Sequence, residues 1–319
     1  MYYLGIDLGG TYIKAAVVTR GGEIIRKGSV KTGAHREFPE IVAEMGALCL
    51  KLIGECGLNT DDIISAGVGS PGTINSQNGI VTYCSNLDWH DAPLTAGLGK
   101  HIGKKVFVSN DANAAALGEA LFGAGKSYKH SIFITLGTGV GSGVIIDGKL
   151  FEGNKSAGTE LGHVKLGDQK RPCACGRLDC WETYSSATAL INDSKAAMQK
   201  DKNSIMWDIA KNIDAVDGKT VFRAADRGDA AAQAVLDNYI YYLGEALINF
   251  ANIFRSEAII IGGGISAEAC LIPPLQAMMD KYIYGGQKIA SVKVVRASLG
   301  NDAGVLGAAS LAITYGGKA

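Results

Sequence analysis

The most chemically loaded stretch of the 319-residue chain runs Glu160-Leu-Gly-His163 and then Cys173-Ala-Cys175-Gly-Arg-Leu-Asp-Cys180-Trp-Glu182. One imidazole and three thiols in C-x-C-x4-C spacing make the donor set of a closed tetrahedral Zn2+ site. Four protein ligands leave no open position, so the residues by themselves indicate a structural ion. The odd total of seven cysteines, clustered in this way, fits metal or redox chemistry in a cytosolic protein better than a disulfide framework. A second signal is glycine. Gly9-Gly10-Thr11, Gly137-Thr138-Gly139 and Gly262-Gly263-Gly264 each follow an apolar run. Backbone amides unobstructed by side chains can close around phosphate oxygens. Any one cluster also fits a tight turn that needs positive φ; three, two of them with a Thr hydroxyl, point to a nucleotide. A third signal, Asn110-Asp111 before an alanine-rich run, reads on its own as a helix N-cap.

The common nucleotide fingerprints are missing. Gly125-Lys126-Ser127 and Gly218-Lys219-Thr220 have Ala120 and Ile213 where a P-loop needs its first glycine. No G-x-G-x-x-G follows the first apolar run, which sets aside the Rossmann motif.

The elements that must carry these residues follow from periodicity. Residues 2–8 and 13–18 read as strands flanking the first glycine loop, with a third strand at 23–27 after the turn Arg20-Gly21-Gly22. The pattern recurs at 131–153, where a strand enters Gly137-Thr138-Gly139 and a hairpin turns at Asp147-Gly148. The chain thus reads as two related halves. Helical spacing of apolar residues marks 39–56, the segment from Asn110-Asp111 to Gly123, and 229–254. A buried strand at 258–261 runs into Gly262, and Asp302 is expected to cap a C-terminal helix. The lobe boundary is placed near residue 118: 1–118 plus 301–319 form an N-terminal lobe and 119–300 a C-terminal lobe.

Composition narrows the function further. Lys and Arg total 31, as do Asp and Glu, so no basic or acidic surplus calls for a nucleic acid or an anionic membrane. Hydrophobic residues at 47% and charged residues at 19% exclude a disordered chain. The 43 glycines show no collagen period. The N-terminal run meets Asp7 before a signal-peptide core could form, so a cytoplasmic protein is expected. The remaining cysteines, Cys49, Cys56, Cys84 and Cys270, read as core or half-buried thiols.

Leu4-Gly-Ile-Asp7-Leu-Gly-Gly-Thr11 with Lys14, Leu136-Gly-Thr-Gly-Val-Gly141, and Ile261-Gly-Gly-Gly264 resemble the two phosphate motifs and the adenosine motif of sugar kinases with the actin/hexokinase fold. Within that superfamily the whole chain resembles the ROK family (repressors, open reading frames and kinases), most closely its bacterial glucokinases. The resemblance implies an α/β, two-lobed, ribonuclease H-like fold, each lobe a mixed sheet flanked by helices. It implies ATP-dependent phosphorylation of a hexose, glucose first, with N-acetylmannosamine, N-acetylglucosamine, fructose or allose as alternatives. Asp111 would be the general base, with Gly72, Asn110, Glu160, His163 and Glu182 as sugar ligands beside it. Asp7, Gly9, Gly10, Thr11, Lys14, Gly137, Thr138, Gly139 and Gly262 to Gly264 would serve ATP, Asp7 through Mg2+. His163, Cys173, Cys175 and Cys180 would hold a Zn2+ that orders the sugar loop. The family also implies a homodimer or larger assembly. Its sugar-responsive repressors share this core, but they carry an N-terminal helix-turn-helix, whereas here the first strand begins by Tyr2. Asp179 stands where the family usually has Gly, and Ser142 where it often has Gly.

Overall fold

Short apolar runs punctuated by glycine turns build the first sheet from β1 (Tyr2–Leu8), β2 (Tyr12–Thr19) and β3 (Ile24–Lys31), followed by α1 (Phe38–Glu55) and β4 (Ile63–Ser70). Next come β5 (Thr73–Asn75), β6 (Ile80–Cys84), β7 (Trp89–Ala92), α2 (Leu94–Ile102), β8 (Val106–Asn110) and α3 (Asp111–Phe122). The chain continues through β9 (Ser131–Leu136), β10 (Val140–Ile146), β11 (Lys149–Phe151), α4 (Glu182–Ser185), α5 (Ala187–Lys200), α6 (Met206–Ala210) and α7 (Thr220–Ala225). It ends with α8 (Ala230–Phe254), β12 (Ala258–Gly262), α9 (Ile272–Tyr282), β13 (Lys293–Arg296) and α10 (Ala303–Gly316). The structure is a computed structural model that describes residues 1–286 and 288–317.

Two five-stranded sheets have the same plan. The first has the order β3-β2-β1-β4-β8, the second β11-β10-β9-β12-β13. In the first, β1 runs antiparallel to β2 and parallel to β4, which runs parallel to β8. In the second, β12 runs parallel to both β9 and β13, and β10 pairs antiparallel with β11. The two halves read from the glycine loops are therefore matched strand for strand. A small antiparallel sheet, β5-β6-β7, is an addition the sequence pattern did not disclose.

The chain divides into two compact units. Met1–Lys129, Gly143–Thr159 and a last segment from Ser298 form one; His130–Ser142 and Glu160–Ala297 form the other. The expected boundary at residue 118 lies inside α3, a continuous helix running to Phe122. The segment 143–159 returns to the first unit, where Thr159 Oγ1 donates to Asn113 of α3 at 3.4 Å.

In the first unit, α1 covers one face of the sheet through Ile41, Val42, Met45, Leu48 and Leu52, which join the cluster holding Leu4, Ile6 and Leu8. A capping box between Glu37 and Glu40 starts this helix. On the other face α10 packs Val305, Leu306 and Ala309 onto Ala16 and Val18. Gly5 and Gly67 permit that approach: a Cβ on either would overlap a carbonyl oxygen of α10, from Val305 or Ala308. Asp302 precedes α10 without the expected capping bond. Its carboxylate instead takes the Lys27 ammonium at 2.6 Å. In the second unit α8 begins at Asp229, whose side chain accepts from Ala232 N–H at 2.7 Å. Its buried face is Val235, Leu236, Tyr239, Leu243, Leu247 and Phe250. Cys49 and Cys84 are buried as expected, whereas Cys270 is exposed.

Candidate active site

In the first unit the candidate residues collect where parallel strands end. Asp7 of β1 is in register with Gly69 of β4, and Ser70 of β4 with Asn110 of β8. Ligands favour this carboxyl edge of an α/β sheet, because loops part there and helix N-termini face outward. Asp7 lies across the hairpin from Lys14, its carboxylate 3.8 Å from the ammonium. Burial pushes the Asp7 carboxyl up, and the Lys14 charge opposes that shift. The other side of Asp7 abuts the first turn of α10, where a Cβ on Gly304 would overlap the carboxylate. Buried Thr32 pins the loop of Gly9, Gly10 and Thr11. Its hydroxyl donates to the Gly9 carbonyl at 2.6 Å and its amide to the Thr11 carbonyl at 2.9 Å.

Asn110 is the N-cap of α3, its Oδ1 accepting from Ala112 N–H at 2.9 Å. Asp111 Oδ1 accepts from the same amide at 2.9 Å. A negative charge is tolerated at a helix N-terminus, so Asp111 can stand in the first turn of α3 as a carboxylate. Asn110 Nδ2 also donates to the Gly72 carbonyl at 3.3 Å. Gly72 has φ +93°, and a Cβ there would meet the Tyr83 carbonyl oxygen, so only glycine serves in this turn. Gly72, Asn110 and Asp111 are thus brought into one short network.

The second unit repeats the arrangement. Gly262 of β12 is in register with Thr135 of β9, so the Gly137–Gly139 loop and the Gly262–Gly264 turn leave neighbouring strand ends. Gly263, at φ +84°, passes so close to Leu136 that a Cβ would strike its backbone. Gly137 N–H donates to the Gly139 carbonyl at 3.0 Å, and Ala187 N–H to the Gly137 carbonyl at 2.8 Å. A cavity of about 630 Å³ adjoins this loop, lined in part by Thr138, Gly139, Glu182, Thr188 and Asn192. The sequence reading did not find α5 as part of that lining, since Thr188 and Asn192 carry no motif of their own.

The donor atoms of His163, Cys173, Cys175 and Cys180 all lie within 4.8 Å of one another. Zinc–ligand bonds of about 2.0–2.3 Å set tetrahedral corners roughly 3.5–3.8 Å apart. His163 Nδ1 to Cys173 Sγ is 3.6 Å, and Cys175 Sγ to Cys180 Sγ is 3.6 Å. The donor set and its spacing fit Zn2+ bound through Nδ1. Burial and the Glu182 carboxylate push the Cys173 thiol up, while the Arg177 backbone amide holds Cys175 down. Glu182 Oε1 lies 2.9 Å from Cys173 Sγ and 3.6 Å from His163 Nδ1. Its Oε2 faces Gly139, where a Cβ would come within 2.7 Å. Glu182 therefore sits between the thiol cluster and the Gly137–Gly139 loop. Glu160 is exposed, and its carbonyl accepts from His163 N–H at 3.1 Å.

Both departures from the family pattern have a physical account. Asp179 adopts φ +62°, a region Asp tolerates better than most residues. Its Oδ1 accepts from Arg171 N–H at 2.9 Å and from the Tyr184 hydroxyl at 2.6 Å. The Tyr184 bond holds the Asp179 carboxyl below the usual range against the opposing effect of burial. Ser142 Oγ accepts from Leu161 N–H at 3.1 Å, joining β10 to the Glu160–His163 turn.

Two equivalent sheets, each opened by a glycine-loop hairpin and carrying polar residues at its parallel-strand ends, define the actin/hexokinase-like fold. Sequence similarity places the chain more closely. It belongs to the ROK family, which it matches over residues 3–315. It is 37% identical over 310 residues to a glucokinase of Thermotoga maritima, covering 97% of this chain and 96% of that protein. Its fold is similar to a ROK family glucokinase from Streptomyces griseus in complex with glucose and AMPPNP: TM-score 0.82, 32% identity, 98% of this chain and 99% of that one. A xylose repressor of Bacillus subtilis is 29% identical, covering 98% of this chain and 77% of the repressor.

Proposed function

We propose that this chain is an ATP-dependent hexose kinase that phosphorylates glucose on its 6-hydroxyl. The observation that carries the reading is the Gly72–Asn110–Asp111 network at the carboxyl edge of a sheet whose first strand presents Asp7. Full-length similarity to glucokinases at 37% identity supports glucose as the substrate. Phosphoryl transfer asks mainly for positioning and charge neutralisation. Asp111 accepts the proton of the 6-hydroxyl as that oxygen attacks the γ-phosphate in line. In the first unit Asn110, held by its bond to Gly72, is the proposed ligand of sugar hydroxyls; in the second unit Glu160, His163 and Glu182 have that proposed role. In the first unit the amides of Gly9–Thr11 and the Lys14 ammonium are suited to phosphate oxygens; in the second, the Gly137–Gly139 loop with Thr138 is suited to the same task and Gly262–Gly264 to the adenosine. Mg2+, bound with the nucleotide, supplies charge neutralisation, and Asp7 is the residue that would hold it. His163, Cys173, Cys175 and Cys180 would hold Zn2+, which would order the loop that carries Glu160 and Glu182. Among the described residues no helix is long and apolar enough to cross a membrane. A cytoplasmic homodimer or larger assembly completes the proposal, checked by the mass of the purified protein in solution.

One pocket contact is worth only about 1–3 kcal/mol between similar substrates, so the test is a panel. Purified protein with Mg-ATP is assayed for ADP release on glucose, N-acetylmannosamine, N-acetylglucosamine, fructose and allose. Glucose is expected to give the highest kcat/KM. A higher value for another sugar reassigns the substrate, and ADP release with none of them refutes the kinase reading.

A further inference from the structure

Beside Asn110–Asp111 lies a carboxylate to which the chemistry above gives no task. Glu152, half-buried just after β11, accepts from Ser109 Oγ at 2.6 Å through Oε1 and from Ser76 Oγ at 3.0 Å through Oε2. Ser109 is 1% exposed and immediately precedes Asn110. Ser76 follows β5, the strand that leaves the Gly72 turn. The Ser76 hydroxyl also meets Ser156 Oγ at 2.5 Å. Ser156 lies in the segment leading to Glu160 and is held at φ +59°, which is costly for a residue with a Cβ. One carboxylate thus joins the end of β8, the strand beyond Gly72 and the approach to Glu160. Both serine hydroxyls donate to an ionised acceptor, the stronger kind of hydrogen bond.

We propose that Glu152 is a positioning residue for the sugar subsite, fixing Asn110 and the Gly72 turn relative to each other through Ser109 and Ser76. This rests on the hexose-kinase reading. Glu152 acts through Ser109 and Ser76, so its removal acts on sugar affinity through backbone placement and leaves the glycine loops unaffected.

The test is isothermal calorimetry of glucose and, separately, of AMPPNP on the full chain and on Glu152→Gln. The amide keeps the size of the side chain but has one acceptor oxygen for two serine donors. The expected result is a glucose Kd raised about tenfold at unchanged stoichiometry, with the nucleotide Kd within about twofold of wild type. Partial unfolding would lower the stoichiometry and leave Kd unchanged, so a merely structural role gives a different readout. Should Glu152→Gln fail to fold, Ser109→Ala, which removes a single donor, carries the same expectation. In the double variant the second change should add little, because both remove one interaction. Glucose affinity within twofold of wild type in the folded variants overturns the proposal. Wild-type protein that binds no hexose overturns the kinase reading and this inference together, which separates that failure from the first.

Discussion

Replacing Glu119 by glutamine exchanges one oxygen for an NH2 group at nearly constant volume, at a fully buried position on α3. The carboxylate is saturated with donors. Oε1 accepts from the amides of Ser298 at 3.0 Å and Leu299 at 2.9 Å. Oε2 accepts from Ala124 N–H at 2.8 Å and more weakly from the Ser298 amide, shared with Oε1, at 3.2 Å and from Ser298 Oγ at 3.4 Å. A glutamine cannot reproduce this in either orientation. If the nitrogen replaces Oε1, it faces two N–H donors; if it replaces Oε2, it faces that of Ala124. At least one part-buried amide loses its acceptor, a loss toward the lower end of about 1–3 kcal/mol. The surviving bonds change from charged to neutral, for roughly 1 kcal/mol more. The sum lies toward the lower end of about 2–4 kcal/mol, and at about 2–4 °C per kcal/mol for a unit of this size Tm falls by at least ~4 °C. Differential scanning calorimetry of the two proteins at neutral pH measures it. Gly123→Ala should lower Tm as well, since its Cβ would overlap Glu119 Oε2. If Glu119→Gln melts within about 1 °C of wild type, the carboxylate is not the anchor of residues 298–299.

Three further outcomes are expected. Asp111→Asn should leave glucose binding largely intact while kcat drops by at least ~10²-fold, the lower range for general acid–base catalysis; a variant within tenfold of wild type removes Asp111 from the role of base. Protein stripped of zinc, and shown by circular dichroism to be folded, should bind glucose more weakly, because His163 and Glu182 lie against the thiol cluster; unchanged affinity would separate the ion from the sugar. Burial works to raise the Asp229 carboxyl, but the Ala232 and Ile205 amides prevail and hold it below its ordinary value. Its contribution to stability is therefore complete above the unfolded pKa of about 3.9 and is lost as pH falls through the lower folded value. In urea unfolding, Asp229→Asn should be destabilised at pH 7, and the gap to wild type should narrow as pH falls below the unfolded value of about 3.9; equal midpoints at pH 7 would refute the assignment.

What the sequence disclosed depended on whether neighbouring residues carried the signal. The strand before each glycine loop, the hairpin at Asp147–Gly148 and the helices ending at Glu55, Phe122 and Phe254 are local patterns, and the structure has them. The grouping of His163, Cys173, Cys175 and Cys180 was legible because these residues are close in sequence and chemically rare. The sheet β5-β6-β7 was not legible: its strands are three to five residues long and too short to show alternation. Glu152 and Glu119 were not legible for another reason. Their partners lie far along the chain, at Ser76 and Ser109 or at Ser298 and Leu299, and nothing in Phe151-Glu152-Gly153 marks a carboxylate that will be enclosed.

The glycines show how one residue type can carry two different constraints. Gly72 and Gly263, both among the candidate residues, each combine positive φ with a backbone neighbour that leaves no room for Cβ. Gly5 and Gly67 have no ligand to meet; they let α10 settle on β1 and β4, and α10 in turn brings Gly304 against Asp7. A methyl group at Gly67 would therefore act on the site indirectly, by lifting the helix whose first turn borders Asp7. Part of the glycine excess is thus a packing requirement of the sheet that carries Asp7, distinct from the phosphate-binding role proposed for the loops. Loop composition alone cannot separate the two, because both demand the same missing Cβ.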